Sequence, residues 1–158
     1  MSEHALCRLA SADVAWTYRE IPPLGVAAVF RAIDDAWYAW TKVCGITAKC
    51  WWPEEKYPHT DVIFLASHLA GRTIGYSQIP TAGDKRGTVQ LEVIVDSSAN
   101  WTAEKLTAVL THEIGHVLGI GSHNDDPRSV MHGFLLPGQV LKEWEIGEAV
   151  KRYGHSRK

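Results

Sequence analysis

Residues 112 to 123 read His-Glu-Ile-Gly-His-Val-Leu-Gly-Ile-Gly-Ser-His, and this stretch restricts the fold more than any other in the chain. Two histidines four residues apart share one face, one turn apart, when the backbone between them is helical. His112 and His116 therefore predict a helix that offers both imidazoles to one ion. Glu113 lies one step round that helix, where its carboxylate reaches a water on the ion without becoming a ligand. Gly119 and Gly121 then break the helix, so the chain can turn and return His123 toward the two rings. Three neutral imidazoles and one open position form a catalytic zinc arrangement, whereas structural zinc sites are closed by four protein ligands. The candidate metal ligands are thus His112, His116 and His123, and the candidate general base is Glu113. The bland alternative is a surface helix with two solvated histidines and a glycine cap. A chance His-Glu-x-x-His with Gly119 in place has a probability of roughly 0.2% in a chain of this composition, which argues against it.

The flanking residues agree with the helix. Thr102 suits the N-cap, and Glu104 follows in the first turn, where the positive helix end favours a carboxylate. Leu106, Leu110, Ile114 and Val117 recur at helical spacing and form a stripe for the core, leaving the histidines to face a cleft. Gly115 is a poor helix former, about 1 kcal/mol worse than Ala. Its missing side chain predicts close approach by another stretch of backbone.

The rest of the chain reads as α+β or α/β. Val14, Trp16 and Tyr18 alternate with polar residues as a first strand. A helix follows from Val26 to Cys44, stopped by Gly45. Thr47 to Trp52 and Asp61 to Ala66 are strand candidates, the second apolar enough to be central. Thr73 to Ile79 is a weaker strand, with Gly75 inside it and Pro80 at its end, as suits a sheet edge. A turn-rich loop at Gly83 to Gly87 leads to a clean strand from Thr88 to Val95, with Val89, Leu91, Val93 and Val95 on one side. A last helix runs from about Leu141 to Tyr153, with Ile146, Ala149, Val150 and Tyr153 as its buried stripe and Gly154 at its end.

Length and charge bound the partners. A chain of 158 residues predicts one domain over 1–158, with its core at about 13–154. The formal charge of −2 gives no electrostatic case for nucleic acid or a membrane surface. Lys151, Arg152, Arg157 and Lys158 read as a solvated tail. No apolar run approaches the roughly 18 residues of a membrane span. Met1 to Leu9 show no secretory signal, so the expectation is a cytoplasmic protein by default, or one exported by a non-standard route. Cys7, Cys44 and Cys50 have no metal-binding spacing and are expected as free thiols, with a Cys44–Cys50 bridge as the alternative. No Ser/His/Asp or Cys/His set competes with the histidine motif.

With these residues in view, the chain resembles a metzincin zinc endopeptidase, and within that group the matrixin catalytic domain. The resemblance runs from about Trp16 to Gly154 and keeps the order of elements. It is carried by His112-Glu113-x-x-His116-x-x-Gly119, by Asn100-Trp101-Thr102 before the helix, by Ser129-Val130-Met131 after it, and by Arg152-Tyr153-Gly154 at the close. It implies a three-layer α+β fold: a twisted, mixed five-stranded sheet with an antiparallel edge strand and two long helices packed on it. An active-site helix, a Met-turn at Met131 beneath the metal and a C-terminal helix complete it. It also implies one catalytic zinc, hydrolysis by a metal-activated water with Glu113 as base, and a protein or peptide substrate extended along the 73–79 edge strand. Phe134, Leu135 and Leu136 would wall the pocket for the side chain after the cut, core packing being the other account of these three. A monomer is expected.

The sequence departs from the family in several places. Counting the first histidine as position one, the family's third ligand falls at the eleventh position, which is Ser122 here; His123 is the twelfth. A Gly121-Ser122 loop can absorb one inserted residue, and Asp125 or Asp126 are the alternative ligands. The cysteine-bearing propeptide of the family has no counterpart in these residues, so no element of this chain is expected to hold the enzyme latent. The calcium-binding acidic segment after the last strand is here Asp96-Ser97-Ser98-Ala99-Asn100, which leaves Ca2+ a weak alternative. His59 and His68 read as surface or loop histidines rather than structural-zinc ligands. Gly133 stands where some metzincins have a tyrosine ligand, so none is expected. Two other functions stay open: a zinc peptidase of another class completed by Glu143, Glu145 or Glu148, and a non-catalytic binding module that keeps the zinc fold.

Overall fold

Apolar residues at strand spacing build the sheet that carries the rest of the fold. The computed structural model describes residues 12–50, 61–71, 73–78 and 91–156. Asp13–Tyr18 (β1) alternates Val14, Trp16 and Tyr18 toward one face, and all three are buried. Parallel strands lie on both sides of it: Thr47–Cys50 (β2) and Val62–Ser67 (β3). Leu91–Asp96 (β5) pairs parallel with β3, and Gly75–Gln78 (β4) closes the edge antiparallel to β5. The sheet order is β2-β1-β3-β5-β4. The mixed sheet with an antiparallel edge strand is as expected.

Register puts the large side chains in line across the strands. Trp16 pairs with Val62, Tyr18 with Phe64, and Phe64 with Val93. On that face Val26–Thr41 (α1) and Ala103–Val117 (α2) supply their apolar stripes to one core. Phe64 lies nearly perpendicular to Trp16 and to Trp37 at centroid distances of 5.7 and 6.2 Å, a geometry that aligns ring edge with ring face. The Trp40 indole donates to the Thr111 carbonyl at 2.9 Å, which ties α1 to α2.

Element ends differ from expectation in ways that local bonding explains. The first helix ends at Thr41, three residues short of Cys44. The amides of Val43 and Cys44 both turn back onto the Trp40 carbonyl, and Cys44 stays fully buried beyond the helix. Gly45 donates to the Gly154 carbonyl at 2.8 Å, and a Cβ there would strike the Tyr153 carbonyl. The last helix, Glu143–Tyr153 (α3), begins two residues after Leu141. Its expected stripe is present as fully buried Ala149 with half-buried Ile146, Val150 and Tyr153, and the buried Glu145 joins it. Cys44 and Cys50 are not bridged to each other. Lys151 and Arg152 pair with Glu148 rather than standing as unpaired tail charges. Among the described residues no helix is long and apolar enough to cross a membrane. Cys7, Trp51, Trp52, His59, Ile79, the 83–87 loop, Thr88, Val89, Arg157 and Lys158 lie outside the described residues.

Candidate metal centre

The α2 helix is specified at both ends by its own sequence. Thr102 accepts the Lys105 amide at 3.1 Å as N-cap, and Glu104 sits in the first turn. Leu106, Leu110, Ile114 and Val117 are fully buried, so the rotation of the helix about its axis is set by the core. At the C-terminus Gly119 takes φ +102°, a conformation that side chains resist. The Gly119 amide returns to the His116 carbonyl and the Ile120 amide to the Gly115 carbonyl, each at 3.0 Å. These two bonds satisfy carbonyls that the helix end would leave unpaired, in the pattern of a Schellman turn. Of the two expected helix-breaking glycines, Gly119 has the positive φ and Gly121 does not.

That turn also aims a ring. Its Ile120 carbonyl accepts from His116 Nδ1 at 2.8 Å. The Val130 carbonyl accepts from His112 Nδ1 at the same distance. A carbonyl can only accept, so both rings carry their proton on Nδ1 and leave the Nε2 lone pair open. The two Nε2 atoms lie 3.1 Å apart. The His123 ring completes the group, with centroids 5.1 Å from His112 and 5.3 Å from His116. One ligating nitrogen from each of the three lies within 4.8 Å of the others, so the trio could hold a metal ion. His116 is buried, His112 half-buried and His123 exposed. Burial pushes the His112 imidazolium down to about 4 against the opposing Val130 hydrogen bond, which keeps the ring neutral and ready to ligate. Two lone pairs facing across 3.1 Å repel unless a cation lies between them. The donor set, with its backbone-fixed tautomers, fits zinc.

Glu113 is buried beside this trio, its Oε2 4.0 Å from His112 Nε2. Burial pushes its carboxyl up to about 7, with the Ser77 hydroxyl opposing. Ser77, on β4, donates to Glu113 Oε1 at 2.8 Å and lies 2.9 Å from the Glu113 carbonyl. The reading of the sequence missed Ser77. The available signal was period two along the edge strand, which turns Gly75 and Ser77 to the same side, toward α2.

None of the alternative ligands joins the trio. The Asp126 carboxylate accepts the Arg128 amide, and Asp125 is not in the trio. Glu148 pairs with Arg152 and Lys151, and Glu143 sits exposed in the first turn of α3. Glu145 is fully buried and bonds the Ser129 hydroxyl, the Asn124 amide group at 2.9 Å and the Lys142 amide at 3.0 Å. It thus fastens the 124–131 segment to α3. The Asp96 carboxylate is occupied by the Ser98 hydroxyl and the Ser98 and Leu69 amides, and His68 is exposed.

Two glycines give the site its room. A Cβ at Gly115 would lie 2.5 Å from Met131 Sδ and 3.0 Å from Trp40 Cζ2. The close approach expected there is therefore made by two side chains, not by backbone, and Met131 is seated fully buried under the helix. A Cβ at Gly133 would come within 3.3 Å of His123 Nδ1, so the ring uses that space. A cleft of about 610 Å³ opens over the histidines, bounded by Tyr76 and Ser77 on one side and by Phe134 and Leu135 on the other. Leu136 faces a neighbouring groove of about 1020 Å³ instead, so only two of the three expected wall residues border the histidine cleft. Phe134 and Leu136 are exposed, which removes the core-packing account for them.

No curated protein matches the chain. The matrixin family model matches residues 11–143, from before β1 to the first residue of α3, and so covers the histidine trio and Glu113. That match spans most of the chain and meets the geometry just described: the chain belongs to the matrixin family of zinc-dependent peptidases.

Proposed function

We propose that this chain is a zinc endopeptidase whose metal is held by His112, His116 and His123 and whose general base is Glu113. What supports the reading is the convergence of three imidazole nitrogens beside one buried carboxylate, in a cleft that runs along a sheet edge. Zinc, when bound, supplies a Lewis acid for the scissile carbonyl and acidifies water. Glu113 accepts the proton of the attacking water and returns it to the departing amine nitrogen. Glu113 Oε2 lies 4.0 Å from His112 Nε2, which sets the carboxylate beside the ligands for that transfer. The His112 and His116 rings are kept in the ligating tautomer by the Val130 and Ile120 carbonyls. Peptide lies extended along β4, whose outer edge offers backbone donors and acceptors, with Tyr76 and Phe134 at the lips of the cleft. The Ser129–Met131 turn beneath the helix serves as the Met-turn.

The decisive experiment compares wild type with Glu113→Gln on a peptide library. Glutamine keeps the shape and cannot take a proton, so the variant should retain zinc and fold and lose about 10²–10⁴-fold in kcat. A wild type that binds zinc and cleaves nothing would favour the non-catalytic module. A variant within about tenfold of wild type would remove Glu113 from the role of base.

A further inference from the structure

Ser77 has no part in the chemistry above, yet it touches the group on which that chemistry depends. It is a buried polar residue on the inward face of β4. Its hydroxyl lies 2.8 Å from Glu113 Oε1 and 2.9 Å from the Glu113 carbonyl. A hydroxyl carries one proton, and while Glu113 is ionised both neighbours are acceptors on that same residue. The other carboxylate oxygen, Oε2, is the one on the histidine side, 4.0 Å from His112 Nε2. The two oxygens are therefore inequivalent: one is tied to the edge strand, the other faces the ligands. Gly75, next on the same face, leaves the approach clear. A Cβ there would meet Val109 Cγ1 at 2.9 Å and Glu113 Cγ at 3.7 Å.

We propose that Ser77 is a positioning residue for Glu113, anchoring Oε1 to the edge strand so that Oε2 is presented to the attacking water and the departing amine. This inference rests on the peptidase reading of the site. Glutamate has three side-chain torsions, and an unanchored carboxylate spreads over several of their wells. Holding it in one orientation supplies the kind of alignment whose loss by about 1 Å costs on the order of a hundredfold in rate. Because β4 is also the strand that receives the substrate, one element holds both the peptide and the base that acts on it. The contribution belongs to the chemical step, so it should appear in kcat and not in KM.

The test is a kinetic series of wild type, Ser77→Ala, Ser77→Thr, Glu113→Gln and the Ser77→Ala/Glu113→Gln double variant, each checked for zinc content and melting. Ser77→Ala should lower kcat about tenfold to a hundredfold with KM within about twofold and zinc content unchanged. Ser77→Thr keeps the hydroxyl and should recover most of the loss. In the Glu113→Gln background, Ser77→Ala should add nothing, because the carboxylate through which it acts is gone. Retention of kcat within about twofold in Ser77→Ala, or an equal further loss in the Glu113→Gln background, would overturn the proposal. Should the alanine variant not fold, Ser77→Cys, which fills similar space with a weak donor, takes its place. Crystal structures of wild type and Ser77→Ala give a readout independent of turnover. Glu113 should hold one conformer in the first and several in the second, and one unchanged conformer in both would overturn the proposal. A wild type that cleaves no peptide sinks the peptidase reading alone, and the crystallographic comparison then decides the role of Ser77.

Discussion

Two neighbouring residues of α2 respond to pH in opposite directions. Glu113 is pushed up to about 7 by burial, against an ordinary 4.5. Between those values the unfolded chain has released a proton that the folded chain keeps. The metal-free fold therefore loses stability as pH rises from 4.5 through about 7, on the order of 3 kcal/mol when complete. His112 is pushed down to about 4 from 6.5, so its share of stability is lost as pH falls through that window. Glu113→Gln removes the first effect and leaves the second. Metal-free Glu113→Gln should exceed metal-free wild type in stability at about pH 8, with the gap closing toward about pH 5. Urea melts across that range check it, and a gap independent of pH would refute the assignment. His123 carries a second expectation, since it is exposed and one place beyond the family's spacing. His123→Ala should lower zinc affinity steeply, whereas Ser122→Ala, Asp125→Ala and Asp126→Ala should leave it nearly unchanged. Zinc titration of the four variants decides, and the reverse pattern would move the third ligand to an aspartate.

At the scale of elements, the joint between α2 and the Ser129–Met131 turn is set by one missing methyl. Gly115→Ala gains about 1 kcal/mol of helix propensity. Its Cβ lands 2.5 Å from Met131 Sδ and 3.0 Å from Trp40 Cζ2, and overpacking of this kind costs about 1–3 kcal/mol. The net effect should be a loss of about 1 kcal/mol in the wild-type background. In a Met131→Ala background the nearest clash is gone, and the same substitution should become neutral or stabilising. Urea unfolding of the four members of this cycle measures the coupling. Additive values would mean that Met131 does not seat against residue 115.

For the whole molecule, the candidate centre is assembled from distant segments. Two rings come from α2, the third from the loop beyond it, and the Glu113 carboxylate is bonded by Ser77 of β4. Glu145 in α3 fastens the 124–131 segment. An unfolded chain cannot gather these groups, so metal affinity is linked to folding. Chelation should lower Tm, and added zinc should raise stability with the logarithm of its concentration, by about 4 kcal/mol at a thousandfold excess over Kd. Calorimetry across a zinc series tests this. A Tm that ignores both chelator and zinc would separate the centre from the stability of the fold.

What the sequence determined by itself is local. The i, i+4 histidines, the Thr102 cap, the apolar stripe and Gly119 place α2 and its end, because each acts within one or two turns of backbone. Alternation located the central strands for the same reason. The order β2-β1-β3-β5-β4 was decided by long-range packing, although edge composition marked β4. Contacts between segments far apart in sequence had no local signature. Ser77 meets Glu113 across 36 positions, and Glu145, weighed from sequence as a ligand, spends its carboxylate on Ser129 and Asn124. Gly115 showed that something comes close but not what, since a missing Cβ records space and not its occupant. Residue type and spacing announce the chemistry a helix can offer; only the folded chain decides which distant hydroxyl, carbonyl or sulfur orients it, because those partners are chosen by packing.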